Sequence, residues 1–386
     1  MAPSHNAPFS LREKIGLVFL ALRAPPQILL NLARALSLAY TRRIPLYYYM
    51  FCALFRFVLS VPSARQVQYL APSALQTYTS FLASRQRKAL AASDTYLASR
   101  LPASPAVTPL PDGASSLLWL GDRARATKVV YFLHGGGYYV AMSDFHLEWC
   151  VRAYLLAARE RTGEEVAVAC LQYTLSPGGK YPTQLCQAAA GLAEILKSGV
   201  RPRDIIFGGD SAGGNLTAQL LSHLLHPHPK AERIILSEPL AGAFAVSPWV
   251  SAKRTDASFT ENRYIDMLSP EILGIAVEYI VGGVAEYDAE TARGEGWAMP
   301  GDVDGAWFAG LEAVVKELYV TVGEQEVLRD QGVKFAETVR EVSPGVKVRL
   351  ELMRNEAHDF ILLEGGAREE GDATRRMREW VEGVLF

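Results

Sequence analysis

A chain of 386 residues is long enough for one large α/β domain with a smaller helical part appended or inserted. Hydrophobic residues make up 49% and charged residues 21% of it, a balance that suits a packed core and excludes a disordered chain. The formal net charge is −2 and the Lys and Arg residues are scattered, so nothing draws the chain to nucleic acid.

From Met1 to Pro8 the chain lacks the basic start of a signal peptide. Two apolar runs follow, Ile15–Leu22 and Ile44–Val61. The first is too short to span a bilayer, and Pro25–Pro26 are expected to interrupt it. The second reaches the lower limit for a membrane helix, about 17 residues, but Arg56 near its middle is costly in lipid. Arg42 and Arg43 ahead of it suit a helix lying at a membrane surface. Burial as a cap on a catalytic domain is the other reading, and the two are compatible. Residues 1–105 are therefore expected to be a helical cap in a membrane-proximal position.

A loop rich in Pro, Ala and Ser runs from Pro102 to Ser115. From 106 to 386 strand-like and helix-like pieces alternate, which predicts a mostly parallel sheet flanked by helices. Strands are expected at Lys128–Leu133, Val166–Gln172, Ile205–Phe207, Ala243–Val246, Leu318–Val322 and Val346–Met353. Helices are expected at Thr183–Lys197, Ala212–His226, Lys334–Val342 and Arg368–Val384. Residues 251–304, irregular and rich in Gly and aromatics, are expected to be a second part of a cap. Cys52, Cys150, Cys170 and Cys186 form no CxxC pair and no secreted-type framework. Buried free thiols and an intracellular, reducing setting are the expectation, in the cytosol or at the surface of the endoplasmic reticulum.

The chemistry concentrates in a few segments. Gly209-Asp210-Ser211-Ala212-Gly213 is a GxSxG, weak by itself. Here it lies between the Ile205–Phe207 strand and a helix on which Leu216, Leu220 and Leu224 share a face. That strand–turn–helix context predicts a nucleophile elbow with Ser211 exposed at a helix N-terminus, and Asp210 in support. Upstream, His134-Gly135-Gly136-Gly137 follows a strand, and its glycines let backbone N–H groups face an oxyanion. Such a donor is worth roughly 3–4 kcal/mol. Gly135 and Gly136, with the Ala212 N–H, are the expected oxyanion donors, supported by His134 and Gly137.

Of the seven histidines, only His358 lies well downstream of the elbow, in Asn355-Glu356-Ala357-His358-Asp359-Phe360 after the last strand. It is the expected general base. His5, His134 and His146 precede the serine. His223, His226 and His228 close a helix, and no carboxylate or cysteine pattern completes a metal site around them. The acid should leave the loop after Leu318–Val322, where Glu324, Glu326 and Asp330 are candidates, Asp330 on the following helix.

HGGG followed by GDSAGG resembles the hormone-sensitive lipase family of α/β-hydrolases, with its fungal esterase and steryl-acetyl-hydrolase-like members. The likeness covers roughly residues 125–365. Tyr173-Thr174-Leu175-Ser176-Pro177 with Tyr181-Pro182 resembles the family's Y-x-L-x-P segment, and Ser247-Pro248-Trp249 its S-P-W segment. The acid motif maps onto Gly323, Glu326, Leu328 and Asp330, so the resemblance implies Glu326 as the acid. The chain departs from the pattern with Glu where many members have Asp, and with Gly178 where the family usually has Glu.

The resemblance implies an α/β-hydrolase fold with a lid from N-terminal helices and an insertion. It also implies an ester hydrolase acting through a Ser211–His358–Glu326 triad without metal or organic cofactor. The aromatic stretch Tyr47, Tyr48, Tyr49, Phe51, Phe55 and Phe57 suggests an apolar pocket, hence a short acyl group on a bulky lipophilic alcohol. Two rivals use the same residues or fold. One is acyl transfer or thioester release within a biosynthetic pathway. The other is a non-enzymatic receptor like the plant gibberellin receptors, which have lost the catalytic histidine that this chain retains.

Overall fold

The computed structural model describes residues 9–161, 163–366 and 370–386. The Met1–Pro8 segment with His5, the first residues (368–369) of the last expected helix, and the Tyr47 side chain lie outside the described residues.

Five helices lead the chain: α1 (Leu11–Arg42), α2 (Leu46–Ser60), α3 (Ala64–Leu70), α4 (Ala74–Ala91) and α5 (Thr95–Arg100). Reciprocal capping boxes at Ser10–Glu13, Ser63–Gln66 and Ser73–Gln76 start α1, α3 and α4, each satisfying backbone donors that the first turn leaves unpaired. Contrary to expectation, Pro25 and Pro26 do not interrupt the first helix, which runs through them for 32 residues. Each proline removes one backbone donor, but the helix is held from the side. Asn31, Ala35 and Ala39 are buried along one stripe, and Asn31 Nδ2 donates to the Ala53 carbonyl of α2 at 3.5 Å. Arg43, left-handed at φ 58°, ends α1 and turns the chain back.

Eight strands form one sheet: β1 (Val107–Pro109), β2 (Ser116–Leu120), β3 (Lys128–Leu133), β4 (Val166–Gln172), β5 (Ile205–Asp210), β6 (Leu240–Val246), β7 (Val315–Gly323) and β8 (Lys347–Met353). Their order is β1-β2-β4-β3-β5-β6-β7-β8. β1 pairs antiparallel with β2 and β2 with β4, and every other pairing is parallel. β1 and β2 were not anticipated. β1 is three residues and β2 five, short antiparallel pieces ahead of the strand–helix alternation from which the parallel strands were read.

The remaining helices are α6 (Asp144–Trp149), α7 (Thr183–Lys197), α8 (Ser211–Leu225), α9 (Ala257–Glu261), α10 (Pro270–Ile280), α11 (Ala285–Ala292), α12 (Arg329–Val342), α13 (Phe360–Gly366) and α14 (Asp372–Leu385). The sheet buries side chains on both faces. Val129, Tyr131 and Leu133 join Leu185, Leu216 and Phe335 from α7, α8 and α12 in one cluster. Val130 and Phe132 join Tyr78, Trp149 and Trp380 from α4, α6 and α14 in the other. Each such large apolar side chain contributes about 1.5–3 kcal/mol by leaving water.

Residues 251–304 lie between β6 and β7 and contain α9, α10 and α11, a more helical segment than its irregular sequence suggested. Arg56 of α2 is half-buried, and its guanidinium donates to the Asp266 and Leu268 carbonyls of this insertion at 3.0 and 3.1 Å. The charge that made this segment a poor membrane span thus fastens the N-terminal helices to the insertion.

Candidate active site

Ser211 sits at the turn from β5 into α8 with φ 51°, a left-handed conformation that non-glycine residues rarely adopt. The turn is possible because Gly209 and Gly213 press against the neighbouring strand. A Cβ at either would fall within 2 Å of the Leu133 carbonyl oxygen, at 1.6 and 1.8 Å. Ser211 Oγ lies 2.9 Å from His358 Nε2, and His358 Nδ1 lies 3.1 Å from Glu326 Oε2. Glu326 is fully buried, and its Oε1 accepts from the Gly323 amide at 3.1 Å. Glu324 instead accepts from the Asn355 amide and Asp330 from the Ser258 amide, so of the three acid candidates Glu326 is the one that meets the histidine.

Electrostatics couples these groups. Burial pushes the Glu326 carboxyl up to about 7, against the hydrogen bond from His358. Burial opposes a charge on His358, yet the carboxylates of Asp359 and Glu326 outweigh it and raise the imidazole well above its ordinary value. Two further groups brace the loops. Asp266, buried in the insertion, accepts from the Val327 amide at 2.8 Å and the His358 amide at 3.1 Å. Ser247 Oγ accepts from the Asp359 amide at 3.2 Å. Truncating Asp266 would leave two buried amides unpaired, each costing about 1–3 kcal/mol.

The glycine loop corrects one assignment. The Gly135 N–H donates to Asp210 Oδ1 at 3.1 Å and is not free to face an oxyanion. The cause is the parallel register that sets Leu133 beside Gly209, bringing the Asp210 carboxylate under the loop. Gly136 and Gly137, at φ 103° and 59°, line the cavity above Ser211 instead. The Ala212 N–H belongs to the first turn of α8, whose amides lack intrahelical partners. Asp210 also meets His146 Nε2 at 3.3 Å. His134 stacks on Tyr173 with ring centroids 4.2 Å apart, and burial lowers it to about 3, so it stays neutral.

A cavity of about 180 Å³ opens over Ser211, His358 and Asp359. Its walls are apolar: Phe55 and Leu59 of α2, Trp249, and Met267, Leu268, Ile272, Leu273 and Ala276 of the insertion. Of the described side chains in the aromatic stretch of α2, Phe55 lines it. Phe57 is buried elsewhere, Phe51 is exposed, and Tyr49 donates to the Asn355 carbonyl at 2.7 Å.

The histidines at the end of α8 also differ from the reading above, because carboxylates distant in sequence do reach one of them. His228 Nε2 lies 3.0 Å from Glu290 and 3.7 Å from Glu286, both on α11, in a geometry that could hold a cation. Protein groups already serve these carboxylates, however. Tyr181 donates to Glu290 at 2.6 Å and Lys230 pairs with Glu286, so the cluster acts as a clamp between the insertion and the sheet domain. All four cysteines are free.

Asp266, Ser247 and Asp359 were missed as site residues. Asp359 was visible beside His358, whereas a lone Asp in an irregular segment gives no signal.

This topology, with a serine elbow, a histidine loop and a glycine loop converging at the ends of parallel strands, defines a hydrolase. The chain belongs to the α/β-hydrolase family, whose alpha/beta hydrolase fold profile matches residues 129–362. It is similar to an esterase of Acinetobacter venetianus, 26% identical over 263 residues, which cover 68% of this chain and 77% of the relative. It is also similar to carboxylesterase NlhH of Mycobacterium tuberculosis, 27% identical over 237 residues, 60% of this chain and 66% of that protein. An esterase from the bacterial hormone-sensitive lipase family shares the fold with a TM-score of 0.59 at 23% identity, covering 87% of this chain and 97% of that one.

Proposed function

We propose that this carboxylic ester hydrolase works through an acyl-enzyme on Ser211. His358 takes the serine proton as Oγ attacks the acyl carbonyl. Glu326 holds the imidazole by Nδ1 and stabilises the imidazolium without taking its proton. The N–H groups of Gly136, Gly137 and Ala212 receive the oxyanion. His358 then protonates the departing alcohol, and water repeats the cycle on the acyl-enzyme. The observation that carries this reading is the continuous chain from Ser211 Oγ through His358 to Glu326, with contacts of 2.9 and 3.1 Å, at the foot of an apolar cavity.

The apolar walls favour a lipophilic substrate, and we assign a short acyl group on a bulky alcohol as its class. The exposed apolar face of α1 supports delivery of that substrate from a membrane surface, in the cytosol or on the endoplasmic reticulum. Hydrolysis of p-nitrophenyl esters from acetate to palmitate, by wild type and Ser211→Ala, tests the reading. Turnover that is lost in Ser211→Ala and fastest on short chains is expected. Turnover that survives the substitution would overturn it. Adding a competing alcohol or amine to the same assay separates hydrolysis from acyl transfer by the product formed.

A further inference from the structure

Asp359 stands in the cavity with work the triad does not explain. It follows the catalytic histidine at φ 53°, and only 7% of its surface is exposed. Its backbone N–H is anchored on Ser247 Oγ, which fixes where the side chain points. Oδ2 lies 3.1 Å from His358 Nε2, the nitrogen that also lies 2.9 Å from Ser211 Oγ. Oδ1 is buried and has no hydrogen-bond partner among the described residues.

The two protonation states of His358 use this carboxylate differently. When the imidazole is charged, Nε2–H can donate to Oδ2. In the state that attacks, Nδ1 donates to Glu326 and Nε2 presents a lone pair to the serine hydroxyl. Neither oxygen of Asp359 then receives a hydrogen bond from the described residues. A buried carboxylate without donors is costly, and the polar side chains lining the cavity are engaged elsewhere, Ser143 and Asp210 with His146, Ser211 with His358 and Trp249 with the Ser251 carbonyl. The missing donor has to come from what enters the cavity.

Position decides which half of the substrate supplies it. His358 Nε2 hands its proton to the departing alcohol oxygen, so that oxygen must approach the nitrogen that Asp359 flanks. Groups two or three bonds beyond it fall within reach of the carboxylate, whereas the acyl chain runs from the carbonyl carbon held at Ser211. We infer that Asp359 is an acceptor subsite for a hydroxyl on the alcohol half of the substrate, on the carbon next to the one bearing the ester oxygen. The preferred substrates are then partial esters of lipophilic 1,2-diols, an inference that rests on the ester-hydrolase reading above. No proton is transferred: the hydroxyl donates a hydrogen bond to an ionised carboxylate and keeps its own hydrogen.

The test compares 2-hydroxyoctyl butyrate with octyl butyrate, and with 2-methoxyoctyl butyrate, which cannot donate. The quantity read is the kcat/KM ratio within each of wild type, Asp359→Ala and Asp359→Asn. Any effect of the substitution on His358 itself acts on all three esters and cancels in the ratio. Hydrogen bonds to charged acceptors predict that wild type prefers the hydroxy ester roughly tenfold or more over both others. Asp359→Ala should abolish that preference and Asp359→Asn retain part of it. Equal rates in wild type, or a preference unchanged in Asp359→Ala, would overturn the subsite while leaving ester hydrolysis intact. Failure of wild type to turn over p-nitrophenyl butyrate would instead remove the reading beneath it.

Discussion

Several local constraints agree in holding Ser211 in the position the proposed mechanism requires. The left-handed backbone costs about 1–3 kcal/mol, repaid by the strand register and by the close approach of Gly209 and Gly213 to Leu133. The histidine is subtler. Burial would keep His358 neutral, but Asp359 at Nε2 and Glu326 at Nδ1 overrule it, with Asp266 fixing its backbone. A base must be unprotonated to work, so activity should rise with pH through a pKa above the ordinary histidine value of about 6.5. Removing one carboxylate weakens the hold on the proton. The acid limb of the kcat/KM profile should therefore move to lower pH in Asp359→Asn, measured with p-nitrophenyl butyrate. A limb that stays in place or moves up would show that Asp359 does not act on the imidazole. Ser211, His358 and the glycine loop were legible in the sequence because turn chemistry is local. Asp266 was not, because its role depends on an insertion folding back over two loops, and the Gly135 error arose because its amide is claimed by an aspartate from the next strand.

At the scale of elements, the strands of the parallel sheet and the helices after them were legible from apolar runs of the expected length. The misses are mostly short elements: β1 and β2 are three and five residues, and α9 and α11 of the insertion five and eight. α1 shows propensity overridden by packing, since a proline pair that would end an isolated helix lies in one braced by α2. The outer face of α1 exposes Leu11, Ile15, Val18, Phe19 and Leu22, at 75%, 48%, 61%, 60% and 70% of their surface, with Arg12, Lys14 and Arg23 exposed along the same stretch. Among the described residues it is the one helix long and apolar enough to cross a membrane, while its basic residues suit an anionic lipid surface. Replacing Val18, Phe19 and Leu22 together by Glu should abolish co-sedimentation with phosphatidylserine-containing vesicles. Hydrolysis of a soluble ester and the melting temperature should be unchanged, because most of the surface of these residues faces solvent. Undiminished vesicle binding would exclude this face as the contact.

For the whole molecule, the site is assembled from three parts that also meet at Arg42, whose guanidinium reaches Asn262 of the insertion and Gln325 of the sheet domain. The sheet domain supplies Ser211, His358, Glu326 and apolar wall such as Val140, Phe145 and Leu362, the insertion supplies Asp266 with Met267, Leu268, Ile272, Leu273 and Ala276, and the N-terminal helices close the cavity with Phe55 and Leu59. Arg56 ties the N-terminal helices to the insertion, and the His228–Glu290 pair ties the insertion to the sheet domain. The central claim is that they converge on a covalent intermediate at Ser211. Rapid quenching during turnover of p-nitrophenyl butyrate, followed by intact and peptide mass spectrometry, tests it most directly. The account predicts a butyryl group on the peptide containing Ser211, formed and consumed within one turnover and absent from Ser211→Ala. A butyryl group on another residue, or turnover in Ser211→Ala with no covalent species, would contradict it.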